Sequence, residues 1–177
     1  MARELILLHP NLQILAKKLE ENCLECGLKI RITETLRTKE EQNDLYARGR
    51  TKPGNVVTNV KYPNSFHCWG VAFDICRNDG KGAYKDSDGF FDKVGNLGKT
   101  LGLTWGGDWK SIVDKPHFQL DTYGATASKL IQRYGTPENF MAAWPAEKEN
   151  VEIKKIGVKL PNGKSLAADG LMIQDRN

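Results

Sequence analysis

The sequence predicts a mixed fold in which helices alternate with short strands, and three observations carry that expectation. Leu12, Leu15, Leu19, Cys23 and Cys26 recur at helical spacing, and Gly27 follows as a stop. Lys29 to Thr35 alternates Ile30 and Ile32 with charged residues, and Val71, Phe73 and Ile75 alternate with Ala72, Asp74 and Cys76, the two-residue period of a strand. Thr38-Lys39-Glu40-Glu41 has the form of a capping box, in which hydroxyl and carboxylate each accept from the other residue's amide.

The elements follow in order from these signals. The capped helix should run to about Arg48 and end at Gly49. Arg50 to Asn59 contains the turn signal Lys52-Pro53-Gly54-Asn55 and is expected to be a loop bordering a cleft. After the Val71–Ile75 strand, Asn78, Asp79, Gly80, Asp86, Asp88 and Gly89 share the composition of a calcium loop but not its spacing, so an exposed polar loop is expected. Phe91, Val94, Leu97 and Leu101 mark another helix, stopped by Gly102. Leu103 to Trp105 and His117 to Leu120 read as two short strands, with Gly106-Gly107-Asp108-Trp109 opening the connection. On the second of these, His117 and Gln119 should face one side while Phe118 and Leu120 enter the core. Ala127 to Tyr134 and Pro137 to Trp144 read as short helices, the latter capped by Thr136 with Pro137 at its first position. Glu147 to Asn150 is linker-like, and Val151 to Ile173 has strand periodicity around the hairpin signal Pro161-Asn162-Gly163.

Composition narrows the class of function. A chain of 177 residues suits one domain and a small appendage, and 40% hydrophobic with 27% charged residues is ordinary for a globular protein. The net charge of +4 is spread along the chain, which argues against a dedicated nucleic-acid binder but would favour encounter with an anionic polymer such as a bacterial wall. Leu5 to Leu8 is too short for a signal h-region, and no membrane span is visible, so synthesis in the cytoplasm without membrane insertion is expected. Cys23 and Cys26 form a lone C-x-x-C at the end of a helical stretch, so two half-buried thiols are expected there. Cys68 and Cys76 are expected to be inert thiols, although Cys68 adjoins a candidate ligand and could compete for metal.

Chemistry concentrates in two segments, Ser65 to Asp74 and Asp114 to His117. They hold two of the three histidines, and neutral imidazole with carboxylate suits a single zinc ion while leaving a fourth position for water. The candidate ligands are His67, Asp74 and His117, brought together by a bend near Gly70, with Asp114 as general base and Pro116 stiffening the link between base and ligand. Arg37, at the strand–helix junction, is the candidate cation for an oxyanion or a substrate carboxylate. Gln42, Ser65 and Trp109 are candidate substrate contacts, and His9 is read as an ordinary packed or exposed residue.

The Ser-x-His-x-x-Gly-x-Ala-x-Asp stretch at 65–74 and the Asp-x-Pro-His stretch at 114–117 resemble the VanY-type zinc D-alanyl-D-alanine carboxypeptidase superfamily, which includes Hedgehog-like domains. Leu36-Arg37-Thr38, Glu41-Gln42, Leu45 to Gly54 and Trp105 to Lys110 look like the L-alanyl-D-glutamate endopeptidases of phage endolysins, and the likeness runs over roughly 10–121. The resemblance implies an α+β fold with a small antiparallel sheet flanked by helices, zinc on His67, Asp74 and His117, Asp114 as base, and Arg37 near the substrate carbonyl or carboxylate. It further implies a monomer that cuts the L-alanyl-D-glutamate bond of peptidoglycan stem peptides and reaches the wall after holin-type release. The alternatives are a D,D- or L,D-carboxypeptidase acting on the same peptides, or a non-catalytic wall-binding module with structural zinc.

The expected division is a catalytic domain over 1–145 and a linker with a β-rich tail over 146–177. That tail resembles the start of a copper-amine-oxidase-N-terminal-like module that stops early.

Overall fold

The computed structural model describes residues 3–144, 153–159 and 165–171. Helix α1 spans Pro10–Glu25, strand β1 Ile30–Glu34, helix α2 Lys39–Ala47, strand β2 Ala72–Arg77 and helix α3 Phe90–Thr100. Strands β3 (Thr104–Trp105) and β4 (His117–Gln119) follow, then helices α4 (Ala127–Tyr134) and α5 (Pro137–Ala142). Strands β5 (Ile153–Lys159) and β6 (Ser165–Leu171) pair antiparallel, as the hairpin signal between them predicts. The turn residues Pro161-Asn162-Gly163 and the linker 147–150 lie outside the described residues.

The larger sheet is antiparallel throughout, in the order β1-β2-β4-β3. Its register lines up Glu34, Asp74 and His117 in one row across three strands, because Glu34 pairs with Asp74 and Asp74 with His117. A bulge between Ile32 and Glu34 shifts β1 by one residue just before that row. The opposite face carries Phe73, Ile75 and Phe118 into a core shared with Leu12, Leu15, Leu19, Val94 and Leu97 of α1 and α3. Phe73 and Phe118 stack across the strands with centroids 5.6 Å apart. Two-residue alternation thus sorts chemistry to one face and packing to the other.

The capping box at Thr38 forms as expected: the Glu41 amide donates to Thr38 Oγ1 at 3.2 Å and the Thr38 amide to Glu41 Oε2 at 2.9 Å. Helix α1 begins two residues earlier than its apolar spacing suggests, because His9 caps it and Pro10 occupies its first turn. His9 is therefore a built part of the fold. Its Nδ1 accepts from the Asn11 amide at 3.1 Å, its own amide donates to the Gly70 carbonyl at 2.8 Å, and its ring lies among Tyr123, Phe140 and Trp144. These aromatic rings, with Trp69 and Leu130, form a second small core that seats α4 and α5 beneath the short 3-10 turn Phe66–Trp69.

The acidic loop 78–89 is ordered around two cations. The buried Arg77 guanidinium donates to Asp79 and to Asp88, each through two nitrogens, and lies over the Phe90 ring. Lys115 Nζ bridges Asp86 at 2.7 Å and Asp92 at 2.9 Å. The carboxylates that give this stretch its calcium-like composition are thereby taken up by protein cations.

Candidate metal centre

His67 comes from the 3-10 turn Phe66–Trp69, whose C-terminal residue Gly70 adopts a left-handed φ of 64°. A Cβ at Gly70 would press on the Trp144 ring, so the chain reverses there only with glycine. Asp74 and His117 are directly opposed on β2 and β4. His67 Nε2, His117 Nδ1 and Asp74 Oδ1 then form a triangle with sides of 3.3, 3.3 and 3.0 Å. Among the described residues, these three groups bring their ligand atoms close enough to hold one metal ion.

The hydrogen-bond partners define what those atoms present to one another. The Thr35 carbonyl can only accept, so His67 Nδ1 carries the proton of its 2.8 Å bond and Nε2 keeps a lone pair. His117 Nε2 faces Gln119 Oε1 at 3.1 Å, another acceptor, which leaves the lone pair on Nδ1. Two imidazole lone pairs and a carboxylate oxygen therefore converge with nothing but acceptor character between them. Such a set coheres only around a proton or a cation. A tetrahedral ion bonded at about 2.0–2.1 Å holds its ligand atoms about 3.3 Å apart, which matches the triangle. The donor chemistry and the spacing fit a metal.

Burial works against the Asp74 charge, yet the two imidazoles hold its carboxyl far below the ordinary carboxylate range. Burial also opposes charge on His67, and the Asp74 carboxylate outweighs it and raises the ring above its ordinary value. Asp114 behaves in the opposite way. Its burial, then the neighbouring Asp74 charge, raise its carboxyl against the pull of His117, His67 and Arg37. The side chain is partly exposed, on a segment pinned from several sides. The Asp114 amide donates to the Gly106 carbonyl at 3.0 Å, Trp105 Nε1 to the Lys115 carbonyl at 2.8 Å, and the Ile75 amide to the Pro116 carbonyl at 3.0 Å.

Arg37 is buried beside the row. Its Nε donates to Glu34 Oε1 at 2.6 Å and its Nη1 to Gln42 Oε1 at 2.7 Å. Gln42, expected to touch substrate, is fully buried instead: its Oε1 is held by Arg37 and its Nε2 donates to the Val60 carbonyl at 2.5 Å. Gln42 orients Arg37 and ties it to the 58–60 loop. Ser65 is buried at the start of the 3-10 turn, and Trp109 is partly exposed with its ring 5.0 Å from that of His117. Cys68 turns toward Gln42 and stands outside the triangle, and burial pushes its thiol up to about 11. Cys23 and Cys26 are free thiols, buried and half-buried.

Gln119 lies on the face of His117, as the two-residue period predicts, whereas nothing in the sequence singles out Thr35 or Glu34.

Comparison with known proteins agrees with this geometry. Residues 58–120, which contain the whole triangle and Asp114, match the D-alanyl-D-alanine carboxypeptidase family of peptidases. The chain is 37% identical over 122 residues to the peptidoglycan L-alanyl-D-glutamate endopeptidase CwlK of Bacillus subtilis (strain 168), covering 64% of this chain and 73% of that protein. The chain belongs to this peptidase family. It is accordingly a hydrolase. A second relative, the L-alanyl-D-glutamate peptidase of Listeria phage A118, is 35% identical over 130 residues, covering 67% of this chain and 42% of that protein. Among solved structures, the L-Ala D-Glu endopeptidase ChiX of Serratia marcescens superposes with a TM-score of 0.50 at 22% identity, over 67% of this chain and 84% of the other, and so shares the α+β fold.

Proposed function

We propose that this chain cleaves the L-alanyl-D-glutamate bond of peptidoglycan stem peptides, using zinc held by His67, Asp74 and His117 and Asp114 as general base. The observation that carries the chemistry is the convergence of three acceptor atoms at 3.0–3.3 Å beside a carboxyl raised by burial. Two relatives named for that bond, one of them from a phage, support the choice of substrate and a role in lysis of the host wall.

Zinc in this set supplies Lewis acidity, which lowers the pKa of water and polarises a carbonyl. Asp114 takes the proton of the attacking water on a carboxylate oxygen and delivers it to the departing amine nitrogen, so the scissile C–N bond breaks without releasing an amide anion. Glu34 and Gln42 take the Nε proton and one Nη1 proton of Arg37, and its remaining N–H donors would meet a substrate oxygen where negative charge grows. Trp109 offers a partly exposed ring beside His117 against which substrate would pack. Glu34 neutralises Arg37 in the ground state and keeps it from repelling the cation.

Digestion of purified peptidoglycan followed by mass spectrometry tests the reading. New N-terminal D-glutamate is the expected product. Release of free D-alanine instead would identify a carboxypeptidase, and an undigested wall would leave a binding module. Among the described residues no helix is long and apolar enough to cross a membrane. The phage relative supports delivery to the wall by a separate release step.

A further inference from the structure

The two histidines of the triangle are oriented by different means. His67 donates to a backbone carbonyl, which has one chemical identity. His117 instead faces the side-chain amide of Gln119, and an amide can turn either its oxygen or its nitrogen toward a neighbour. Something must choose. On the far side of Gln119, its Nε2 donates to Asp121 Oδ1 at 2.6 Å, and the other oxygen of Asp121 accepts from Thr104 Oγ1 at 2.6 Å.

We propose that Asp121 is a positioning residue that sets the tautomer of His117 through Gln119, and thereby the strength of metal binding. An ionised carboxylate only accepts, so it compels the Gln119 NH2 to face it. The Gln119 oxygen must then face His117 Nε2, which must carry the proton. The lone pair is left on Nδ1, the atom 3.3 Å from His67 Nε2 and 3.0 Å from Asp74 Oδ1. Thr104 on β3 donates to Asp121 and holds it in place at the end of the chain of bonds. The device spans β3, β4 and the turn after β4, and no member beyond His117 touches the metal position.

This inference rests on the reading of His67, Asp74 and His117 as ligands, and the experiment separates the two. Zinc affinity is measured by chelator competition on the full chain for wild type, His117→Ala, Asp121→Asn and Gln119→Leu. Outer partners of a ligating histidine typically contribute about 10–100-fold in metal affinity, and a loss of that size is expected for Asp121→Asn and Gln119→Leu. The side-chain amide that Asp121→Asn introduces can donate as well as accept, so Gln119 is released to turn. If wild type binds no zinc, or His117→Ala binds as well as wild type, the ligand assignment fails and the inference falls with it. If wild type binds and Asp121→Asn matches it within about two-fold, Asp121 alone is misassigned. A second readout does not depend on any variant folding. The chain has only three histidines, so nitrogen-15 spectra of wild type resolve each ring, and His117 must show its proton on Nε2. A bare Nε2 overturns the proposal.

Discussion

Acidification from about pH 8 to about pH 4 is expected to cost the fold about 3 kcal/mol through one residue, His9. The ring is 3% exposed and lies 4.4 Å from Tyr123, 5.3 Å from Trp144 and 5.8 Å from Phe140, centroid to centroid. Its Nδ1 accepts the Asn11 amide at the start of α1 and also meets the Tyr123 hydroxyl at 3.4 Å. Protonation would desolvate a cation and convert that acceptor into a donor facing an N–H. Attraction of an imidazolium to the surrounding rings opposes this, but at about 0.5–1 kcal/mol it is the smaller effect. Burial accordingly lowers the ring from 6.5 to about 4.

The unfolded chain therefore binds more protons than the folded one between about pH 6.5 and about pH 4. Stability is full above that window, falls as pH drops through it, and is flat again below. At about 1.4 kcal/mol per pH unit the whole loss comes to about 3 kcal/mol. The comparison that isolates it is His9→Asn, which keeps a side-chain acceptor for the helix cap but cannot titrate. Loss of ring packing should make this variant less stable than wild type at neutral pH by about 1–3 kcal/mol. The deficit should shrink toward zero, or reverse, by about pH 4. Urea denaturation followed by tryptophan fluorescence, with chelator present throughout so that metal linkage is constant, measures both curves. A difference between the two proteins that stays constant across the window would refute the reasoning.

The remaining expectations concern the site. Asp114→Asn should abolish wall digestion while leaving zinc content unchanged, as metal analysis of the purified variant would show; retained digestion would remove Asp114 as base. Exhaustive chelation should stop activity and zinc should restore it, whereas His67→Ala should bind zinc at least about 100-fold more weakly in chelator competition. Arg37→Lys keeps the charge but loses the fork that grips Glu34 and Gln42, so turnover should fall with zinc affinity intact; equal loss of metal would show that Arg37 supports the ligands rather than the substrate.

Much of the fold was legible because its signals are local. The capping box at Thr38, the stops at Gly27 and Gly102, and the alternation around Phe73 and Phe118 each depend on a few neighbouring residues. The candidate ligand set was legible for another reason: histidine and aspartate on two short motifs have few structural uses in common. What escaped was whatever depends on contacts distant in sequence. Gln42 reads as a polar helix residue, and only the approach of Arg37 and the Val60 carbonyl makes it a buried clamp. His9 reads as a lone histidine until Tyr123, Phe140 and Trp144 close around it from more than a hundred residues away. The acids of 78–89 form the exposed loop that their composition suggests, but nothing local shows that Lys115, 29 residues beyond Asp86, will tie it down.

The triangle also depends on a register that its own residues do not set. A one-residue slip of β4 would bring Phe118 opposite Asp74 and turn His117 to the other face. The packed face opposes that slip, because Phe118 is fully buried, stacks on Phe73 and sits against Gly98 of α3, where an added Cβ would clash with the edge of the Phe118 ring at Cε1 and Cδ1. Gly98→Ala gains about 1 kcal/mol of helix propensity but must displace α3 or Phe118, and overpacking of this kind costs about 1–3 kcal/mol. The net expectation is a less stable protein whose zinc affinity is also reduced, although residue 98 touches no ligand. Urea denaturation of the chelated protein gives the first quantity and chelator competition the second. A Gly98→Ala variant that binds zinc as tightly as wild type despite lost stability would show that Asp74 and His117 hold their alignment without the core beneath them.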